Sequence, residues 1–213
     1  MNMLVLDIAT AALPNAADYL DPPHADRRLT DPKKIEADIA AKAADRLAKA
    51  GLDLDLSRLT AIGLHNGVNA TVHLCRTEAE ERAALVATAV AIKDPQGALK
   101  TIVTYNGHDF DLPCLMRRAR HLGVSFPRLS TDRYKSINYD LLAELTDRNP
   151  DRRRSLGFYV KRLGWTDLVK PLAGEAEARV HETGDWAGLE ASVLHDLTAT
   201  LRLAQWWGIW RAT

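Results

Sequence analysis

The feature that most restricts the fold of this chain is a short apolar run at residues 3–8, interrupted only by Asp7. A run of this length, rich in Leu, Val and Ile, is typical of a strand buried inside a sheet. The acid lies near the end of the run, where a central strand reaches the edge of its sheet. The pattern therefore predicts a buried strand that delivers Asp7 to a functional edge.

The rest of the chain alternates between strand and helix patterns. The strands are expected at residues 3–8, 58–64, 70–75 and 100–105, and the second and third should pair antiparallel because Asn66-Gly67 between them is a strong hairpin signal. The helices, with their caps, are expected at residues 31–51, 77–92, 112–121, 139–145, 155–164 and 185–207. This order predicts an α/β fold with a mixed sheet flanked by helices.

Length and local composition add two expectations. At 213 residues the chain suits a single domain covering residues 1–213. Residues 10–31 contain three prolines and are expected to form an irregular loop. The helix that follows carries a stripe of apolar residues at four-residue spacing, as a helix packed on one side does: Ile35, Ile39, Ala43 and Leu47.

Charge and hydropathy exclude several classes of protein. The 28 basic and 28 acidic residues balance, which argues against coating of nucleic acid by bulk electrostatics and requires any such contact to be local. The basic run at residues 152–154 is open to two interpretations, a solvated face or a phosphate-binding rim. No apolar stretch is long enough for a bilayer, and we expect a cytoplasmic protein without membrane contact. Cys75 and Cys114 are isolated, so neither a disulfide nor a zinc site is indicated.

Three acids stand where a metal-dependent hydrolase would need them. Asp7 ends one strand, Asp111 follows another, and Asp196 lies within the last helix. Each acid alone is more often a helix cap or a surface charge, but convergence of several carboxylates suits Mg²⁺ or Mn²⁺, which prefer oxygen ligands. Two such metals can hydrolyse a phosphodiester. The three acids are therefore candidate catalytic and metal-binding residues.

Three segments carry a resemblance to a known family. LVLDIAT at residues 4–10 resembles an Asp-x-Glu motif after a strand, TYNGHDFDLPCL at 104–115 an Asn-Gly-x-x-Phe-Asp motif, and GLEASVLHDLTAT at 188–200 a Tyr-x-x-x-Asp motif on a helix. Together they resemble the DEDD 3′-5′ exonuclease superfamily, in particular the predicted exonucleases similar to the proofreading domain of family-B DNA polymerases. The segment at 31–64 also resembles the region between the first two motifs.

The resemblance implies a fold, a cofactor and a substrate. The fold would be ribonuclease-H-like, the cofactor two Mg²⁺ or Mn²⁺ ions bound by Asp7, Asp111 and Asp196, and the substrate a single-stranded nucleic-acid 3′ end. DNA is favoured over RNA because the nearest resemblance is to polymerase proofreading domains. Asn106, Gly107 and Phe110 of the second motif are candidate substrate-binding residues.

Two departures from the family pattern affect the expected chemistry. Ala9 stands where the family has Glu, so one of four metal-binding carboxylates is missing and one tightly bound metal is expected instead of two. Whether this alanine is natural or engineered is left open by the sequence. Residues 7 and 9 of a strand point to the same side, so a Glu restored at position 9 should reach the same metal. Ser192 stands where the family has a Tyr that orients the attacking water.

His195 is a candidate replacement for that tyrosine because it adjoins Asp196 and titrates near neutral pH. The helical periodicity opposes this role, because it turns His195 almost away from the apolar face that Leu189, Val193 and Leu197 define. A surface histidine is the alternative. His108, within the second motif, is a weaker candidate of the same kind.

The candidate binding residues also have structural interpretations. Gly107 is expected where the turn requires a positive φ. Asn106 would bond either that turn or the terminal nucleotide. Phe110 fits the core better than a base-stacking platform, and Asp109 is interpreted as a turn residue.

Three functions remain compatible with the sequence. The first is a metal-dependent 3′-5′ exonuclease impaired by Ala9. The second is a catalytically silent module of the same fold that binds nucleic acid or regulates. The third is an exoribonuclease that acts on short RNA.

Overall fold

A mixed sheet of five strands forms the centre of the molecule in the computed structural model, which describes residues 2–132, 134, 136–168, 170 and 174–210. The strands are β1 (Met3–Ala12), β2 (Ser57–His65), β3 (Ala70–Leu74), β4 (Thr101–Thr104) and β5 (Tyr139–Asp140). They lie in the order β3-β2-β1-β4-β5. The antiparallel pairs are β1 with β2 and β2 with β3, and the parallel pairs are β1 with β4 and β4 with β5. The predicted mixed α/β sheet and its hairpin are confirmed.

Eight α-helices surround the sheet within the described residues. They are α1 (Pro32–Lys49), α2 (Glu78–Ala91), α3 (Asp111–His121), α4 (Leu141–Leu145), α5 (Leu156–Arg162), α6 (Gly174–Ala178), α7 (Val180–Thr183) and α8 (Trp186–Trp206). The predicted caps are confirmed, because each accepts a hydrogen bond from a backbone N–H of its helix: Asp31, Thr77, Ser155 and Asp185. Side-chain oxygens at these positions satisfy amides that have no partner inside the helix.

Three local predictions were wrong in whole or in part. Tyr139–Asp140 forms strand β5 rather than the start of a helix, because it pairs with Val103 and Thr104 of β4, a contact remote in sequence. The irregular loop expected at 10–31 is confirmed for residues 20–31 but not before them, where β1 continues to Ala12 and a short 3-10 helix spans Ala16–Tyr19. Before α8, the segments Gly174–Ala178 and Val180–Thr183 form α6 and α7, two short helices that the sequence pattern did not indicate.

The alternation of side chains along β1 separates two apolar layers. Leu4, Leu6 and Ile8 pack on one face with the apolar residues of α2 and α3. Val5 and Ala9 pack on the other face with the apolar residues of α8. A strand buried on both faces reads as an almost continuous apolar run, which explains the pattern at residues 3–8. Asp7 belongs to the α8 side by the same alternation.

Helix α1 lies outside these layers and buries none of its residues. Ile35 and Ile39 are half-buried, whereas Ala43 and Leu47 are exposed, so the predicted stripe makes only partial contact. Polar bonds to the preceding proline-rich segment hold the helix, among them Lys42 Nζ to the His24 carbonyl at 3.1 Å. None of the helices in the described part of the chain has both the length and the apolar character that crossing a bilayer requires.

A buried ion pair joins α2, α3 and β2 on the face opposite α8. Arg118 Nε and Nη2 each donate to the Glu81 carboxylate at 2.8 Å, and the Leu59 amide donates to Glu81 Oε1 at 2.9 Å. The side chains are only 7% and 1% exposed. Because both partners are desolvated, loss of either one leaves an uncompensated buried charge.

We therefore predict that Arg118→Met lowers the free energy of unfolding by about 3–5 kcal/mol, measured by urea denaturation. The double variant Arg118→Met/Glu81→Gln should recover part of the loss, because the neutral amide still accepts from Leu59. Equal stability of Arg118→Met and the unchanged protein would show that the pair contributes nothing.

Candidate functional site

The carboxyl end of β4 and the middle of its parallel neighbour β1 define the location of the candidate site. Strand β1 continues to Ala12, so Asp7 lies within it rather than at its end as expected, just beyond the residues that pair with β4. Asp7 lies in β1, and the turn after β4 leads directly into α3, whose first residue is Asp111. The Asp111 side chain is buried at 5% exposure. Two of the predicted acids therefore approach each other from adjacent elements.

A buried carboxylate that the sequence analysis did not identify holds the turn between β4 and α3. Asp140, 4% exposed, accepts hydrogen bonds from the amides of Asn106 at 2.9 Å and His108 at 3.0 Å. It also caps α4 by accepting from Leu142 and Ala143. Asp140 ends strand β5, the position that the sequence predicted for Asp7, but it was missed because residues 139–145 were interpreted as a helix.

The glycine of this turn serves a different purpose from the one expected. The positive φ, 68°, belongs to Asn106, whose side chain type tolerates the left-handed region. Gly107 is needed because a Cβ there would lie 2.3 Å from Thr104 Oγ1, far inside contact distance. Phe110 is half-buried and packs against the apolar layer of α2 and α3, in agreement with the core interpretation. The substrate-binding role of these three residues stays a prediction.

The third acid, Asp196, lies on helix α8, which packs against the sheet. It approaches β2 closely at Gly63, which pairs with Asp7 in the sheet. A Cβ at Gly63 would lie 2.5 Å from Val193 Cγ1 and 2.8 Å from Leu197 Cδ1. The missing side chain therefore lets α8 come close enough to bring Asp196 towards Asp7.

We predict that Gly63→Ala destabilises the protein by about 1–3 kcal/mol in urea denaturation, because the added methyl group overpacks the contact with α8. Gly174→Ala is the matched control, since a Cβ there meets nothing within 4 Å. Equal effects of the two substitutions would contradict the close-contact explanation.

The three acids share one electrostatic environment. Burial is the main cause of the raised pKa of Asp7, and the charges of Asp196 and Asp111 raise it further. Burial likewise raises the pKa of Asp111 from 3.8 to about 7, with smaller increases from Asp140 and Asp196, while hydrogen bonds with the backbone of Asp111 and Ile8 oppose the rise. Repulsion between carboxylates in a desolvated place is the physical condition that a bound cation would relieve.

The raised pKa of Asp111 predicts a pH dependence of stability in chelator-treated protein. Between pH 3.8 and about 7 the folded protein holds the Asp111 proton more tightly than the unfolded chain does. The contribution of this group therefore favours folding at acidic pH and is lost as the pH rises towards about 7. Asp111→Asn should flatten this slope and raise the melting temperature at pH 8 by about 2–4 °C for each kcal/mol of repulsion removed. Asp45→Asn, on the exposed surface of α1, should change neither quantity.

Two charged residues missed by the sequence analysis complete the cluster. Lys170 Nζ pairs with Asp196 Oδ2 and lies 2.8 Å from Glu177 Oε1. Glu177, on α6, also accepts a hydrogen bond from the hydroxyl of Ser192. Lys170 lowers and Glu177 raises the pKa of Asp7 by their charges. Neither residue carries a motif signal, because both precede the last helix in a segment without a strong pattern.

The surface interpretation of His195 was wrong. Its side chain is only 10% exposed, and Nδ1 lies 3.1 Å from Asp196 Oδ1. The helical periodicity indicates a single buried face of α8, whereas a second small core, containing Val160, Leu168 and Ala199, covers its other side. His108 is buried as well, and neither of its ring nitrogens has a hydrogen-bond partner among the described residues. A catalytic role for either histidine stays a prediction.

The arginine run at residues 152–154 is exposed beside the turn. Arg153 pairs with Asp109 of the second motif, and Arg152 Nη1 lies 2.9 Å from Asp147 Oδ2. Asp109 is therefore an ion-pair partner as well as a turn residue. Both interpretations of the run, solvated face and phosphate-binding rim, stay predictions.

The donor chemistry of the cluster suits a hard divalent cation, since carboxylate oxygens are the ligands that Mg²⁺ and Mn²⁺ prefer. Still, within residues 2–210, apart from 133, 135, 169 and 171–173, no three His, Cys, Asp or Glu side chains stand together as a group that could hold a metal ion. Both oxygens of Asp196 are engaged, Oδ1 by His195 and Oδ2 by Lys170. A metal would have to take Oδ2 from the lysine.

Comparison with solved structures identifies the fold. One match is a family B DNA polymerase from the hyperthermophilic archaeon Pyrobaculum calidifontis, with 18% sequence identity and a TM-score of 0.61. The match covers 95% of this chain and 24% of the polymerase, so the chain spans about a quarter of that protein's length. Identity at this level indicates a shared fold only, and the expected ribonuclease-H-like α/β fold is thereby confirmed. No family model and no curated protein matches the sequence.

Proposed function

We propose that this protein is a metal-dependent 3′-5′ exonuclease of the DEDD superfamily that hydrolyses phosphodiester bonds at single-stranded nucleic-acid 3′ ends. The observation that carries the proposal is the electrostatic coupling of Asp7, Asp111 and Asp196, which belong to three separate elements and to three motif positions. The fold that this chain shares with a family B DNA polymerase also supports the proposal. DNA is the favoured substrate.

The carboxylate chemistry of the cluster suits the expected metal, but its described side chains do not stand together as a group that could hold the ion. Asp7, Asp111 and Asp196 would hold Mg²⁺ or Mn²⁺, which when bound supplies positive charge that polarises the scissile phosphate and favours ionisation of water. Other residues of this chain hold these carboxylates in position. Asp140 fixes the turn that carries Asp111, and the close contact of α8 with Gly63 fixes the position of Asp196.

Two other groups in this chain would act on protons and charge. His195 Nδ1 contacts Asp196, so its imidazole is close enough to accept a proton released in the cluster. Lys170 compensates the negative charge of Asp196 and Glu177 before substrate binds. The Ser192 hydroxyl donates a hydrogen bond to Glu177, so the only side-chain donor at the position where the family has Tyr is already engaged.

The proposal predicts that the protein shortens a 5′-labelled single-stranded DNA from its 3′ end in Mn²⁺ or Mg²⁺. Asp196→Asn should reduce the rate by about 100-fold or more, because metal ions supply several kcal/mol of transition-state stabilisation. Asp167→Asn is the control, since Asp167 is an exposed partner of Arg202 on the surface. A denaturing gel of the labelled products measures the rates.

The same assay separates the alternative functions. Shortening of RNA with DNA left intact would favour the exoribonuclease. Binding of both without cleavage in either metal would favour the silent module, which the substitutions Ala9 and Ser192 support.

A further inference from the structure

Positive charge is concentrated in one segment of this otherwise neutral chain. Residues 144–162 contain six Arg or Lys and three Asp or Glu, whereas the whole chain has 28 of each sign. Three of the six are consecutive and exposed, Arg152, Arg153 and Arg154. A local excess of this kind is what a protein without net charge needs for contact with a phosphate backbone.

Two arginines of this segment lie over aromatic rings that are themselves exposed. The guanidinium carbon of Arg148 lies 5.2 Å from the centroid of the Tyr134 ring, and that of Arg154 lies 5.8 Å from the centroid of the Phe158 ring. Tyr134 is 77% exposed and Phe158 is 42% exposed. Bases of a single strand stack on such rings whatever their sequence, and neighbouring guanidinium groups contact the phosphates. The rings therefore distinguish this surface from a basic run that is only solvated.

The positive charges of the two arginines are available to a ligand. In the part of the chain that the structure describes, the Arg154 guanidinium donates to the Arg153 carbonyl at 2.9 Å and pairs with no carboxylate. Arg148 Nη2 lies 3.5 Å from Glu144 Oε1, and both side chains are exposed to solvent. Exposed ion pairs are weak, so a phosphate can replace the glutamate at little cost.

The backbone at Arg148 is unfavourable for an arginine. Its φ is 60°, in the left-handed region, at the end of α4, where glycine is the usual residue. Non-glycine residues in this conformation are frequent at functional sites, because the side chain is retained at the expense of stability. The position of Arg148 thus indicates a role for its side chain outside the fold.

Two contacts join the segment to the turn before α3. The Tyr105 hydroxyl donates to the Arg154 carbonyl at 2.5 Å, and Arg153 pairs with Asp109. A small cleft between this turn and α4 is lined by residues of both and by Arg148 and Arg153. The charged surface therefore begins beside the second motif.

We infer that Tyr134, Arg148, Arg153, Arg154 and Phe158 form an arginine–aromatic surface that binds single-stranded nucleic acid without regard to base sequence. The arginines contact successive phosphates, and the two rings stack with bases. The inference rests on the proposed function, because it names the surface that holds the strand of the same substrate next to its 3′ end.

Fluorescence anisotropy of a labelled oligothymidylate with the full chain in EDTA tests the inference, because binding is then measured without cleavage. Arg154→Gln and Arg148→Gly should each lower the slope of log affinity against log salt by about 0.7 and weaken binding about fivefold at 0.1 M salt. Arg148→Gly also relieves the left-handed backbone, so urea denaturation should show no loss of stability.

The matched control is Arg76→Gln. Arg76 follows β3 at the opposite edge of the sheet, and its guanidinium also lies over an aromatic ring, 5.6 Å from the centroid of Trp186. This substitution should change neither the affinity nor the salt slope. An equal effect of Arg76→Gln and Arg154→Gln would show that only total charge matters and would overturn the inference.

Tyr134→Leu separates stacking from charge. It should weaken binding about tenfold and leave the salt slope unchanged, because stacking releases no counterions from the strand. Full affinity of Tyr134→Leu would show a surface that attracts any polyanion and would contradict the assignment of the rings.

The outcomes distinguish the inference from the proposed function. If the unchanged protein shortens DNA while the arginine and tyrosine variants bind as it does, the surface is overturned and the proposed function stands. If the variants weaken binding as expected but the unchanged protein cleaves in neither Mg²⁺ nor Mn²⁺, the surface stands and the proposed function is overturned. An unchanged protein that does not bind the oligonucleotide overturns the surface.

Discussion

Repulsion between carboxylates in a desolvated place is the constraint around which this molecule is organised. The pKa of Asp7 and that of Asp111 are both raised, first by burial and then by neighbouring acids. Such a cluster is unfavourable for folding, and contacts elsewhere in the structure hold it in place. Strand β1 is buried on both faces, and Asp140 accepts a hydrogen bond from the turn before α3. Lys170 offsets part of the repulsion. Groups with perturbed pKa values are frequent at functional sites, where stability is given up for activity.

Much of the fold could be predicted from local signals. The apolar run at residues 3–8, the Asn66-Gly67 turn and the caps Thr77 and Asp185 each act over a few residues, and each is where the sequence indicated. The sequence did not predict those features that depend on contacts between residues far apart along the chain. The short strand β5 exists because β4 offers it a parallel partner, and α8 is covered on two sides because the chain returns across it as α5. Helical periodicity marks the main apolar face of α8 and does not reveal a second layer of residues packed on its other side. His195 was therefore expected at the surface.

The site shows the same division between local and distant information. Asp7, Asp111 and Asp196 could be named because each belongs to a motif with fixed spacing, and their metal-binding role stays a prediction. Lys170 and Glu177 could not, because their relevance arises only when α6 packs against β1. Motif comparison also treats each departure separately. In three dimensions the small side chain of Ser192 and the carboxylate of Glu177 are parts of one contact, which the motif comparison does not reveal.

The segment between β1 and β2, which includes α1, should open locally more easily than the sheet. Helix α1 buries no residue, and it is joined to the preceding chain mainly by exposed polar bonds such as Arg46 Nη1 to the Asp21 carbonyl. Its far end is anchored at Gly51, whose carbonyl accepts from Thr10 Oγ1 at 2.6 Å within the buried sheet edge. Local opening costs little free energy where few apolar contacts are lost. Amide hydrogens of α1 should therefore exchange with solvent much faster than those of β1, and a protease should cut this segment first while the sheet and its carboxylates stay folded.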